Sequence, residues 1–194
     1  MRGDVGVDGQ ATEEEKDVAA LEADKAREQL LRGRTYLGRE LLTWMLWRSE
    51  STEPLFEHDG TPIHVHFAGR ITLKGALGEV TELSAKGALA PYSDQVKRAL
   101  AAGLLVHNAR LNLTAGERSF ELSLDAEHLD VKAAKLPELM TEEEDDREQE
   151  RLSLTDLLGA LVDGCIRAFL AVRVTQRWNK TDVPEMRAWM EEAA

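Results

Sequence analysis

Apolar residues first recur with helical spacing between Tyr36 and Glu50, where Leu37, Leu41, Trp44 and Arg48 share one stripe and Leu42, Met45 and Leu46 widen it. So broad a face on one short helix requires burial against something larger than another helix. Gly38 falls inside this helix, where glycine costs about 1 kcal/mol relative to alanine, so close backbone packing is expected there. Upstream, Thr12 followed by Glu13, Glu14 and Glu15 reads as an N-cap with acids in the first turn. It predicts a helical arm over residues 12–34, whose apolar positions are sparse. The plain reading is a solvated arm; an oligomeric coiled-coil contact would need sustained heptads, which are missing. Residues 1–11 carry no periodic pattern and are expected to be a disordered tail.

From Ser51 onward the period changes from 3.6 to 2. Leu55–His58 leads into Asp59-Gly60, a hairpin signal, and Ile63, Val65 and Phe67 return with His64 and His66 on the other face. Ala68-Gly69-Arg70 reads as a turn into Ile71–Lys74, and a glycine-containing loop leads to a further strand, Val80–Leu83. After Pro91 a short amphipathic helix is predicted from Ser93 to Ala102, stopped by Gly103. Leu105, His107, Ala109, Leu111 and Leu113 then alternate with Val106, Asn108, Arg110 and Asn112. Ala115-Gly116-Glu117 turns the chain back into Phe120, Leu122 and Leu124. Leu129, Val131 and Leu136 suggest an edge segment ended by Pro137.

Residues 141–151 form an acidic linker, read as a solvated loop or helix start rather than a docking tail. Leu152–Val174 is the second strong helix, with Leu154, Leu157, Leu158, Leu161, Val162, Cys165, Ile166, Phe169, Leu170 and Val172 on a wide apolar face. Trp189 and two methionines mark a short terminal helix. The pattern predicts an α+β fold: an antiparallel meander and hairpin sheet packed against two long amphipathic helices, with an N-terminal helical arm. Residues 35–178 would form the single domain, and residues 179–194 a C-terminal helical tail.

Charge narrows the function. A formal net charge of −12 on 194 residues opposes non-specific attraction to polyanions, though it says nothing about local distribution. No apolar run is long enough to span a membrane, and Met1-Arg2-Gly3-Asp4 lacks the hydrophobic core of a signal peptide. The single Cys165 excludes an internal disulfide and suits a reducing compartment. A soluble cytoplasmic protein is expected. Phosphate-cradling loops, dinucleotide fingerprints and nucleophile elbows are all missing, and Cys165 sits in an apolar face, as an inert core thiol does. The chain is therefore read as non-enzymatic, with no cofactor.

Two constellations remain. His58, His64 and His66, with Glu57 or Asp59, would bridge a divalent metal if the hairpin brought them together; as histidines on the wet face of a strand they are otherwise ordinary. The basic residues Arg70, Lys74, Lys97, Arg98, Arg110, Arg118, Lys132 and Lys135 all fall in the strand-rich middle, away from most acidic clusters. Arg110 and Arg118, on the two strands of the clearest hairpin, are expected to share a face. With Asn108 and Asn112 these groups suit a phosphate-contacting surface; the plainer reading is scattered solubilising charge.

The run Leu37-Gly38-Arg39-Glu40-Leu41-Leu42-Thr43-Trp44-Met45-Leu46-Trp47-Arg48-Ser49-Glu50 resembles a segment of the bacterial recombination-associated proteins of the RdgC type. Phe120–Asp125, Leu129–Lys132, the acidic linker and the long apolar helix continue the resemblance more loosely. It covers residues 35–175, corresponding to the C-terminal part of that family. The resemblance implies a nucleoid-associated, sequence-independent binder of duplex DNA that acts as a ring-shaped homodimer, acidic overall with a basic lining. The chain is expected to lack the N-terminal half that ring closure requires. The alternative is a protein–protein interaction module of the same fold that binds no DNA.

Overall fold

The computed structural model describes residues 37–75 and 82–192, which belong to one compact unit spanning Thr35–Ala194. The expected tail (1–11) and helical arm (12–34) lie outside the described residues. Helix α1 covers residues 37–48. Strands β1 (Phe56–His58), β2 (Thr61–Gly75) and β3 (Glu82–Lys86) follow, then a 3-10 turn (Ala90–Tyr92) and helix α2 (Asp94–Ala101). Next come β4 (Leu104–Ala115), β5 (Arg118–Asp125) and β6 (Val131–Lys135), then α3 (Glu144–Arg173), a π-helical turn (Trp178–Asp182) and α4 (Val183–Glu191). The fold is α+β, and its six strands form one antiparallel sheet ordered β1-β2-β4-β5-β6, with β3 also on β2.

The first hairpin forms as its sequence demands. Asp59 and Gly60 both take positive φ, 49° and 74°, the pair of angles a two-residue turn of this hand requires. β1 and β3 then share one edge of β2, at Phe56↔Ile63 and Arg70↔Lys86, leaving a gap between them. In that gap the Phe67 amide donates to the Tyr92 hydroxyl at 2.8 Å, so the 3-10 turn satisfies an edge that no strand covers.

Two expectations about the strands are corrected. Ala68-Gly69-Arg70 is not a turn: it is an irregularity inside one 15-residue strand, where the register against β4 slips between Phe67 and Ile71 and Gly69 takes φ 73°. Two residues are absorbed, so Phe67 and Ile71 still face the same way. A second slip, between Thr72 and Leu73, inverts the expected alternation at the start of β4. Leu104 and Val106 face the core there, along with Ala109, Leu111 and Leu113, and Leu105 does not.

One face of the sheet presents Ile63, Val65, Phe67, Leu111, Leu113, Phe120, Leu122 and Leu124 to the helices in a single apolar cluster. Leu41, Leu42, Trp44, Met45 and Leu46 of α1 join it, whereas Leu37 is exposed. α3 contributes Leu154, Leu158, Leu161, Val162, Cys165 and Phe169. It begins eight residues before the expected Leu152. The acidic run supplies its first turns, the solvated helix start that the sequence allowed, with Glu144, Asp145 and Asp146 where the helix dipole favours negative charge.

The short terminal helix expected from the sequence forms as α4 and is docked on the rest of the unit. Trp178, Asp182, Met186 and Trp189 are buried. Phe169 stands between Trp44 and Trp178, with centroids 5.6 and 5.5 Å away. The wholly buried Asp182 carboxylate accepts the Trp44 indole N–H at 3.0 Å and the Arg177 Nε–H at 3.0 Å. This knot ties α1, α3 and the C-terminal segment together.

Candidate nucleic-acid interface

Alternate residues of the strands point away from the helices, and the pairing register fixes which ones share that face. Arg110 lies opposite Ser123, Asn112 opposite Glu121 and Thr114 opposite Ser119. Across β2, His66 lies opposite Asn112 and His64 opposite Thr114. Beyond β5, Lys132 is opposite Ser123 and Lys135 opposite Glu121. At the other edge Arg70 faces Lys86 and Lys74 faces Glu82, alternating with the core residues Ile71 and Leu73. Except for the buried Thr72, these positions are exposed or half-buried.

The result is a solvated platform with six cations on its strands, Arg70, Lys74, Lys86, Arg110, Lys132 and Lys135, against four carboxylates, Glu57, Glu82, Glu121 and Asp125. In a chain of net charge −12 this is a local excess of positive charge. Among the described residues, Lys74 pairs with Glu82 at 4.0 Å, while Arg110 and Lys135 both pair with Glu121. The Arg110 hydrogen bond, followed by that of Lys135, holds the Glu121 carboxyl below the usual carboxylate range. Arg110 also runs its stem over Gly69: its Cδ lies 3.7 Å from where a Cβ there would sit.

Compared with protein-family models, curated proteins and solved structures, the chain matches none. The arrangement itself is therefore the ground for any functional reading.

The structure brings together five of the eight basic residues singled out from the sequence and disperses the other three. Lys97 is on α2, bonded to Glu50 at 3.1 Å and stacked 4.8 Å from the Trp189 ring centroid, so it holds α4 in place. Arg98 is exposed on the same helix. Arg118 pairs opposite Ala115, on the core-side parity of β5, and so lies on the opposite face from Arg110 rather than beside it. There it borders a cleft of about 670 Å³ with His58, Glu117, Glu138 and Glu150. Glu150 is committed to the loop before α3, its carboxyl held low by the Met140 amide and by Thr141. Sequence reasoning missed Lys86, because it ended the third strand at Leu83; the alternation in Glu-Leu-Ser-Ala-Lys would have found it.

The three histidines do not converge. His58 shares the parity of Phe56, on the helix side, whereas His64 and His66 belong to the opposite face. The grouping with metal-ligand spacing among the described residues is Asp125, Glu127 and His128, whose ligand atoms lie within 4.8 Å of one another. Asp125 Oδ1 already accepts the Glu127 and His128 amides at 2.9 and 3.4 Å, closing the turn after β5. Burial opposes ionisation of Asp125, but these two amides outweigh it and keep the carboxyl low. Cys165 is buried, and desolvation pushes its thiol up to about 12, far from nucleophilic use at neutral pH. A second cleft, of about 560 Å³ between α1, α2 and α4, is lined chiefly by apolar side chains such as Leu100, Leu105, Met186 and Met190.

Proposed function

We propose that this protein is a non-enzymatic binder of duplex DNA, related in kind to the RdgC-type recombination-associated proteins and acting as a homodimer in the nucleoid. It would hold the phosphate backbone on the open face of its sheet without reading sequence. The observation that carries this reading is the gathering of Arg70, Lys74, Lys86, Arg110, Lys132 and Lys135 on one solvated face of an acidic chain. Such a face recognises the charge and spacing of phosphates, while asparagine, serine and threonine side chains between the cations supply further donors. The overall negative charge opposes such binding at long range, and because added salt screens that repulsion it offsets part of the salt dependence of the local phosphate contacts.

The test is fluorescence anisotropy of two labelled duplexes of unrelated sequence, at low and physiological salt, with sedimentation of the same samples. Binding by a dimer, similar for both duplexes and weakening steeply with salt, is the expected result. Arg70→Glu combined with Lys86→Glu, a cross-strand pair, should lower affinity while leaving the thermal transition in place. Absence of binding to either duplex at low salt would overturn the reading and turn attention to the alternative, an interaction module with a protein partner.

A further inference from the structure

We propose that Glu121 is the resident occupant of a phosphodiester site on the sheet, held between Arg110 and Lys135 where a DNA backbone phosphate would otherwise sit. The proposal rests on the DNA-binding reading and adds to it a built-in competitor.

The geometry is that of an anion site spanning three strands. Glu121 projects from β5, directly opposite Lys135 on β6 and diagonal to Arg110 on β4. Its Oε2 accepts from Arg110 Nη2 and lies 3.3 Å from Lys135 Nζ. The Arg110 stem passes over Gly69, its Cδ 3.7 Å from where a Cβ there would sit, an ordinary contact distance. All three side chains keep 41–66% of their surface exposed, so a ligand as large as a duplex can reach them. A carboxylate and a phosphate present anionic oxygens to the same donors, and arginine suits both. With Glu121 in place the cluster carries one net positive charge. With its side chain swung into solvent, the two cations face the incoming phosphate together. The same two cations keep Glu121 ionised at neutral pH, so exchange is driven by the arriving anion and not by protonation.

The experiment compares the full chain with Glu121→Gln, Arg110→Gln and Glu57→Gln in the anisotropy assay at several salt concentrations. Glu57 is on the same face, opposite Pro62 on β2, and removing its charge controls for the general field. Glu121→Gln is expected to tighten binding several-fold and to steepen the dependence of log K on log salt by about one, as an added phosphate contact does. Arg110→Gln should weaken binding, and Glu57→Gln should have little effect. If Glu121→Gln binds like the native chain, or if Glu57→Gln tightens binding equally, the proposal falls while DNA binding stands. If neither the native chain nor Glu121→Gln binds either duplex at low salt, both fall. Binding by Glu121→Gln alone would also overturn both, since the native chain would then bind no DNA for Glu121 to compete with.

Discussion

A Cβ placed on Gly38 would collide with the Ala126 carbonyl oxygen, so the start of α1 is pressed against the turn after β5 with no room for a side chain. Gly38→Ala should therefore destabilise the fold by about 1–3 kcal/mol, the usual cost of overpacking, despite alanine's better helix propensity. Urea denaturation would show it as a lower midpoint at unchanged slope. The need for close packing at Gly38 was legible from a glycine inside a helical pattern; its partner was not, because Ala126 belongs to a turn far along the chain. His107 was less legible still. It was expected in a simple alternation, but at the register slip its side chain is buried with no partner for Nδ1 among the described residues. Burial, then the Lys74 charge, pushes its imidazole pKa below the ordinary 6.5, with Asp125 opposing and Arg39 adding to the effect. The folded state therefore favours neutral His107. Its contribution to stability is intact above about pH 6.5 and is lost as pH falls through the lowered folded value. Denaturation midpoints measured from about pH 7 to about pH 5 should fall more for the native chain than for His107→Gln.

At the scale of elements, what the sequence conveyed was periodicity, and where periodicity and structure diverge a local feature explains why. The buried stripe of α3 begins at Leu154, so apolar spacing starts the helix close by, at Leu152; the acidic turns before it are helical because their charges suit the dipole, not because they pack. Ala68-Gly69-Arg70 carries turn residues, yet the strand passes through them, since both flanks pair with the same neighbour β4. α4 was expected as a tail because three large apolar residues in a short helix do not announce what they bury against. They bury against α2 and the Trp44–Phe169–Trp178 stack. Trp189→Ala should consequently cost about 3–5 kcal/mol, as truncation of a buried aromatic does, and should free Lys97 from the ring it covers. A denaturation midpoint within the scatter of the native chain would show instead that α4 is only loosely attached.

Over the whole molecule, charge is sorted rather than balanced. Among the described residues, carboxylates crowd the first turns of α3 while the open sheet face gathers cations, a local sorting that net charge alone conceals. The salt dependence of DNA binding belongs to this scale, because it reports the number of phosphates met at once. Sequence reasoning found five of the platform's six cations, but it could not assign them to faces, which depends on register slips and strand order. The strand order has a further consequence, for the time the chain takes to fold. β4 and β5 meet across a two-residue turn, but the central seam joins Ile63 of β2 to Ala115 of β4, with β3 and α2 looped out between them. Closing that long loop carries an entropic cost before its pairing returns anything. The two tight hairpins should thus form early and the seam between them should set the rate, which makes β2 and β4 the last neighbours to meet in the sheet they hold together.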